Sequence, residues 1–126
     1  MTTKTHTLIL RLTLTCAVVT LFLLPRQAPV HASAEPREID VTAKRFTYEP
    51  AEITVRKGEP VVIVLHTADV AHGLKFAELG LATDIEKGND SRLAFTPDRT
   101  GTFVGHCSHF CGSGHGSMIL TLKVTE

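Results

Sequence analysis

Short runs of residues that alternate between apolar and polar recur along most of the chain. Alternation at 38–43 and 52–55 predicts strands with one buried face, and a turn-forming Lys57-Gly58-Glu59-Pro60 segment follows the second run. The unbroken apolar run 61–66 predicts a strand that is buried on both faces. Further short strands are predicted at 73–76, 92–95, 102–104 and 118–124.

These strands, together with the lack of any sustained helical periodicity in the sequence, predict the fold class. Seven or so short strands separated by turns are typical of an all-β sandwich. The predicted core comprises apolar positions of the strands, namely Ile53, Val55, Val62, Val64, Leu120, Leu122 and Val124. Four phenylalanines are assigned to the same core, namely Phe46, Phe76, Phe95 and Phe103.

The N-terminal segment 1–34 has the layout of a secretory signal peptide. Lys4 and Arg11 precede an apolar run at 12–24, and Ala32-Ser33-Ala34 matches a small-residue cleavage site. The apolar run is shorter than the roughly 20 residues that span a bilayer. An uncleaved anchor, formed if the run extends toward the N-terminus, is the alternative to a cleaved signal.

Cleavage would leave a single domain, residues 35–126. The leader carries three basic residues and no acidic ones, so this domain has ten basic and thirteen acidic residues and a formal net charge of −3. The balance offers no basic patch for nucleic acid and suits a basic protein partner. We expect a periplasmic or exported protein that meets a membrane only through an uncleaved leader.

The most informative stretch is the cysteine loop, Cys107 to Met118, with the sequence CSHFCGSGHGSM. It places two thiols, an imidazole and a thioether within twelve residues, and no carboxylate lies among them. These donors are the soft or borderline ligands that copper selects. Their spacing would also fit one face of a helix, but three glycines in the loop make a helix unfavourable, at about 1 kcal/mol each relative to alanine.

Several metal sites and one metal-free structure compete for these side chains. Structural zinc sites use Cys and His, so Met118 argues against zinc. A mononuclear blue copper site uses one Cys and leaves the second thiol unexplained. Two thiolates can instead bridge two copper ions, which requires a second His from elsewhere in the chain. Without metal, an oxidising compartment favours a disulfide between Cys107 and Cys111.

The loop pattern Cys-Ser-x-x-Cys-Gly-x-x-His-x-x-Met resembles the binuclear copper A loop of cytochrome c oxidase subunit II and, less closely, the copper domain of nitrous oxide reductase. Upstream, Asp69-Val70-Ala71-His72 is similar to the family's segment that carries the missing His, and the similarity extends over about 51–124. The resemblance implies a cupredoxin-like Greek-key β-sandwich. It also implies a two-copper cofactor that carries single electrons.

The resemblance further implies a role for each ligand. Cys107 and Cys111 would bridge both coppers, with His72 and Met118 on one and His115 and the backbone carbonyl of His109 on the other. Two features depart from the family pattern: His109 replaces an acidic residue between the cysteines, and the chain has no Trp for an aromatic electron-transfer patch. Both departures argue against a place in an ordinary oxidase complex.

The remaining candidates receive other roles. We expect His66 to be a hydrogen-bonded core or rim residue, and the side chains of His106 and His109 to lie near the site without being ligands. Phe110 either shields the metal from water or presents an apolar patch to a partner.

The predicted function is one-electron transfer by an electron carrier that is not itself an enzyme. A small cytochrome or cupredoxin would be its redox partner, and it would feed a terminal oxidase or related respiratory reductase. The alternatives are copper storage or delivery, a reduced form of an oxidase subunit II, and a mononuclear copper protein.

Overall fold

Nine short strands form the part of the chain that the structure, a computed structural model, describes, namely residues 35–126. The predicted signal or anchor segment 1–34 lies outside the described residues, so it stays a prediction. The strands are β1 Arg37–Lys44, β2 Thr47–Glu49, β3 Glu52–Arg56, β4 Val61–Thr67, β5 His72–Phe76, β6 Leu81–Ile85, β7 Ser91–Phe95, β8 Gly101–His106 and β9 Ile119–Thr125. Two single-turn 3-10 helices lie at Ala77–Leu79 and His115–Ser117.

The strands form two sheets. One has the order β2-β1-β4-β7 and the other the order β3-β9-β8-β5-β6. The β1–β4 and β3–β9 pairs are parallel, and the remaining pairs are antiparallel. This architecture confirms the predicted all-β, cupredoxin-like sandwich.

The core lies between the sheets and contains five of the seven predicted aliphatic positions. β4 contributes Val61, Ile63 and Leu65 to it, whereas the predicted Val62 and Val64 are buried on the opposite face of that strand. The first five residues of β4 are all buried, as the unbroken apolar run predicts. The seven aliphatic core residues predicted from the alternation are each at most 7% exposed. Phe76 and Phe103 are buried, whereas Phe46 and Phe95 are only partly buried and pack against the core from its edge.

Two strands were not predicted. β2 has only three residues, too few to display an alternating pattern. In β6 the alternating positions are Leu81, Thr83 and Ile85, of which only Ile85 is fully buried. No helix among residues 35–126 is long and apolar enough to cross a membrane.

The sheet order places the cysteine loop beside the start of β5. β5 and β8 are neighbours in the five-stranded sheet, and Lys75 is in register with His106, the last residue of β8. The loop leaves β8 at Cys107 and returns to β9 after Met118. His72, the first residue of β5, therefore lies at the same edge of the sandwich as the loop.

Candidate metal centre

Backbone hydrogen bonds close the cysteine loop and dock it on β5. The Cys107 N–H donates to the Met118 carbonyl at 3.1 Å, which joins the two ends of the loop. The Ser108 N–H donates to the Gly73 carbonyl at 3.4 Å. A Cβ atom on Gly73 would lie 2.3 Å from Ser108 Oγ, so this close approach requires glycine.

Three sulfur atoms lie together inside the loop. Cys107 Sγ and Cys111 Sγ are 3.8 Å apart, and both residues are free cysteines with at most 5% exposure. Cys111 Sγ lies 3.9 Å from Met118 Sδ, and Met118 is completely buried. The disulfide that was considered as the metal-free alternative is not formed in this structure.

His72 adds a nitrogen to this sulfur group. The residue is fully buried, and its Nε2 lies 2.8 Å from Asp69 Oδ1. Its Nδ1 is buried and has no hydrogen-bond partner. One ligand atom from each of His72, Cys107 and Cys111 lies within 4.8 Å of the others. Because an unpaired buried nitrogen costs about 1–3 kcal/mol, a metal ion at Nδ1 would satisfy a group that the fold leaves without a partner.

The two other predicted ligand groups are placed less directly. The Cys107 thiol donates to the His109 carbonyl, with 3.1 Å between Sγ and O, so this carbonyl lies at the edge of the sulfur group. His115 does not belong to the group of His72 and the two cysteines. Its Nδ1 is nevertheless buried without a partner, and its ring packs at 5.8 Å from the ring of Phe110. Both residues remain predicted ligands.

Deprotonating a thiol or hydroxyl group at this site is unfavourable unless a cation is bound there. Burial, followed by the adjacent Cys107 thiol, raises the pKa of Cys111. Burial and the nearby Cys107 and Cys111 also raise the pKa of Tyr48 far above its ordinary value. Bound metal reverses this tendency, because a coordinated thiol is deprotonated by the ion.

Asp69 is held as a carboxylate. Burial raises the pKa of this group, but hydrogen bonds from the Arg45 backbone N–H, the His72 ring and the Val70 backbone N–H outweigh it, and the pKa lies well below its usual range. A carboxylate on Nε2 fixes the orientation of the ring and leaves Nδ1 directed elsewhere. Asp69 therefore supports His72 and is not itself part of the donor group.

Sequence reasoning assigned no role to three residues that surround the donors. Asp69 was detectable, because an acid three positions before a candidate His is a common supporting pair. The buried Tyr48 hydroxyl donates to the Gly73 carbonyl, next to His72. Arg45 donates from its backbone N–H to Asp69 Oδ2 at 2.9 Å and from Nε to the Cys111 carbonyl at 2.8 Å. No local pattern indicates a contact between residues 66 positions apart.

The loop glycines pack under Phe46. A Cβ atom on Gly114 would lie 2.4 Å from the Phe46 ring, and one on Gly112 would lie 3.0 Å from it. Gly112 also has φ +134°, which other residues rarely adopt. Phe46 thus packs against the cysteine loop as well as the core, a position that its assignment to the core did not anticipate.

His66 and Phe110 lie at the surface. The His66 ring pairs with Asp90 through Nδ1 at 2.7 Å and with Asp40 through Nε2 at 3.3 Å, which matches the predicted hydrogen-bonded rim residue. Phe110 is 76% exposed, the most exposed large hydrophobic side chain of the described domain. This exposure favours the partner-facing interpretation over the shielding one.

The donor set fits copper. Two thiols, an imidazole and a thioether converge, and Asp69, the nearest carboxylate, is occupied behind the imidazole. Soft donors of this kind select copper over hard cations, and a thioether is uncommon at structural zinc sites.

The comparisons with known proteins agree with this chemistry. The family model of the cupredoxin-like domain matches residues 13–120. Cytochrome c oxidase subunit 2 of Thermus thermophilus is 30% identical over 102 residues, which are 81% of this chain and 76% of the relative. The chain spans 61% of a second Thermus thermophilus subunit of the same name.

Solved structures show the same fold. The periplasmic domain of cytochrome oxidase subunit II of Bradyrhizobium japonicum matches with a TM-score of 0.66 and 22% identity, over 71% of this chain and 84% of that chain. The metal binding domain of the Cu(I) exporting P-type ATPase of Streptococcus pneumoniae, solved with Cu(I), matches with a TM-score of 0.59 and 26% identity, over 71% and 85%. The chain belongs to the cupredoxin-like domain family and is homologous to cytochrome c oxidase subunit 2.

Proposed function

We propose that this chain is an exported copper protein whose binuclear copper A centre carries single electrons. The observation that carries the proposal is the pair of buried thiol sulfurs 3.8 Å apart, flanked by the unpartnered Nδ1 of His72 and the thioether of Met118. Two thiols at this separation can both contact each of two metal ions. The same separation also fits one ion held by both thiols, so the copper count decides between the two arrangements.

Each ligand would have a separate role in the proposed centre. Cys107 and Cys111 would hold both copper ions, His72 and Met118 would complete one of them, and His115 and the His109 carbonyl would complete the other. When bound, a thiolate-bridged copper pair supplies one-electron oxidation and reduction with the charge spread over both ions.

The protein around the donor atoms holds them rigidly and excludes water from them. Strands β5, β8 and β9 fix both ends of the loop, and both cysteines and Met118 are buried. Rigid support of ligands limits the rearrangement that accompanies a change of charge. With these ligands the protein would fill every copper position and leave none for substrate, so the proposed role of the domain is that of an electron carrier that is not itself an enzyme.

A redox partner supplies and removes the electron. Phe110 projects from the cysteine loop with 76% exposure and packs beside His115, which gives an apolar contact point close to the donors. A small cytochrome or cupredoxin fits this role. The chain would work in the periplasm, and a terminal oxidase or related respiratory reductase is the acceptor that the homology to oxidase subunit 2 suggests.

The test is a count of copper per chain together with the low-temperature electron paramagnetic resonance spectrum of the oxidised protein. We expect two coppers and hyperfine splitting from one electron shared by both nuclei. Cys111→Ser should lose the shared-electron spectrum. A full complement of copper with an unchanged spectrum in that variant would contradict the bridging role.

A second function, copper storage or delivery, is favoured by the similarity to the Streptococcus pneumoniae domain that was solved with Cu(I). It predicts a spectroscopically silent copper(I) protein that gives up its metal quickly to a chelator. Reversible voltammetry of a metal-retaining protein would exclude it, whereas rapid loss of copper(I) without a reversible wave would exclude electron transfer.

A further inference from the structure

Arg45 contacts both segments that carry the proposed ligands. Its backbone N–H donates to Asp69 Oδ2 at 2.9 Å, and Asp69 Oδ1 holds Nε2 of His72 at 2.8 Å. Its guanidinium Nε donates to the Cys111 carbonyl at 2.8 Å. One residue in the β1–β2 turn therefore links the segment before β5 to the middle of the cysteine loop.

The position of Arg45 is itself fixed. It follows β1 directly, and Lys44 is in register with Thr47 across the turn to β2. The next residue, Phe46, packs against Gly112 and Gly114 of the loop. Two consecutive residues thus hold the same loop, one through a hydrogen bond and one through ring packing.

The guanidinium also brings a positive charge to the donors. Arg45 and Cys111 both line a surface cleft of about 370 Å³, and Arg45 is the only permanently charged residue among the cleft's lining groups in the described domain. A positive charge near a metal–thiolate group stabilises its reduced form, which carries one positive charge fewer. A guanidinium additionally fixes direction, because its Nε–H lies in a rigid plane.

We propose that Arg45 is a positioning residue that locks Cys111 relative to His72 and raises the reduction potential of the centre. The effect on the potential rests on the proposed copper function. The positioning of Cys111 does not, because the contacts exist in the protein without metal.

The experiment compares full-length wild type with Arg45→Met and Arg45→Lys. Arg99→Met is the matched control, because Arg99 also donates from its guanidinium to a backbone carbonyl, that of Glu78 at 2.9 Å, away from the loop. The first readout is the alkylation rate of Cys111 in the reduced, metal-free protein, resolved from the other cysteines by mass spectrometry. The second is the reduction potential of the copper-loaded protein.

Burial raises the pKa of Cys111 and the Arg45 charge lowers it, so alkylation rates are compared at a pH at which the Cys111 thiol is ionised in every protein tested. Under that condition Arg45→Met should alkylate about tenfold faster at Cys111, the factor expected for loss of one charge-assisted hydrogen bond. Its potential should fall. Arg45→Lys keeps the charge and loses the planar Nε–H, so its potential should stay closer to wild type while alkylation is still faster than wild type. Arg99→Met should match wild type in both readouts.

Unchanged alkylation in both Arg45 variants would overturn the positioning role, and equal acceleration in Arg99→Met would reduce it to a general loosening of the fold. An unchanged potential in Arg45→Met would overturn the electrostatic part. If the protein proves to hold no copper pair, the alkylation result still decides the positioning of Cys111, so failure of the proposed function is distinguishable from failure of this inference.

Discussion

His66 and His72 lie at opposite ends of the β4–β5 connection, and each is paired with aspartate in a different way. His66, near the end of β4, has a side chain that is 37% exposed, and both of its ring nitrogens lie beside carboxylates. His72, at the start of β5, is fully buried and pairs through Nε2 alone. Its Nδ1 is buried without a hydrogen-bond partner, and a nitrogen of its ring lies within 4.8 Å of both cysteine sulfurs.

The difference shows how burial and pairing together separate a ligand from a surface charge partner. A histidine with both nitrogens paired at the surface has no free lone pair to offer and changes only its protonation. A buried histidine with one nitrogen held by a carboxylate is fixed in orientation and has the other nitrogen available. Spacing in the sequence alone does not distinguish the two.

Removing each histidine ring in turn tests most directly whether His72 and His66 have different roles. We expect His72→Gln to lose the spectrum of a copper pair and to bind less copper per chain, because His72 is the histidine that is grouped with the two cysteine sulfurs in the described domain. His66→Gln should retain the wild-type copper count and spectrum. Copper analysis and electron paramagnetic resonance of both variants measure this, and equal copper loss in the two would contradict the assignment.

Asp69 tests whether the carboxylate behind His72 matters. Asp69→Asn keeps the size of the side chain but removes the charge that holds Nε2. Loss of such a supporting partner typically weakens metal binding by about 10–100-fold. Competition with a copper chelator measures the change. Asp90→Asn, which removes the equivalent partner of His66, is the control and should leave copper affinity unchanged.

The crowding around His72 is tested by Gly73→Ala. The added Cβ would lie 2.3 Å from Ser108 Oγ, which must rotate away, and 3.0 Å from the His109 backbone nitrogen, which must shift by a few tenths of an ångström. Overpacking of this kind typically costs about 1–3 kcal/mol. Urea unfolding of the metal-free protein measures the loss. Gly116→Ala is the matched control in the same loop, because nothing lies within 4 Å of its added Cβ. Equal stability of the two variants would show that the loop is not docked as described.

Much of the sandwich could be predicted because its strands repeat a local pattern. The β4 run Val61–Thr67 and the alternating β3 and β9 show their burial in their own residues. β2 escaped prediction because a three-residue strand carries too little pattern, and β6 because Thr83 lies at one of its alternating positions. Such strands are defined by their neighbours in the sheet and not by their own composition.

The site residues also differ in how far the sequence predicts them. The cysteines and Met118 could be nominated from their spacing within one loop, and His72 from the resemblance of its segment to the copper A family. The structure brings these four residues together. The supports Arg45 and Tyr48 could not be nominated, because their hydrogen bonds reach across 66 and 25 positions of the sequence. Contacts of that length depend on the completed sheet order.

The smallest expected effect is the pH dependence of the stability that the exposed His66 contributes. Hydrogen bonds to Asp90 and then to Asp40 raise the pKa of His66 above its ordinary value of about 6.5. The protonated ring therefore stabilises the folded state fully below about pH 6.5, and this contribution disappears as pH rises through the higher folded-state pKa. The free energy of unfolding of the wild type should exceed that of His66→Gln by more at pH 5.5 than at pH 8.5.

Urea unfolding of the metal-free proteins at both pH values measures that difference, and subtracting the variant removes the contribution of the other histidines. The pair is exposed, so the effect should be small and should shrink further in high salt. Asp90→Asn should remove most of the same pH-dependent stabilisation, because the shorter of the two His66 contacts, at 2.7 Å, is to Asp90. A difference that grows toward high pH would mean that His66 is stabilised as the neutral ring.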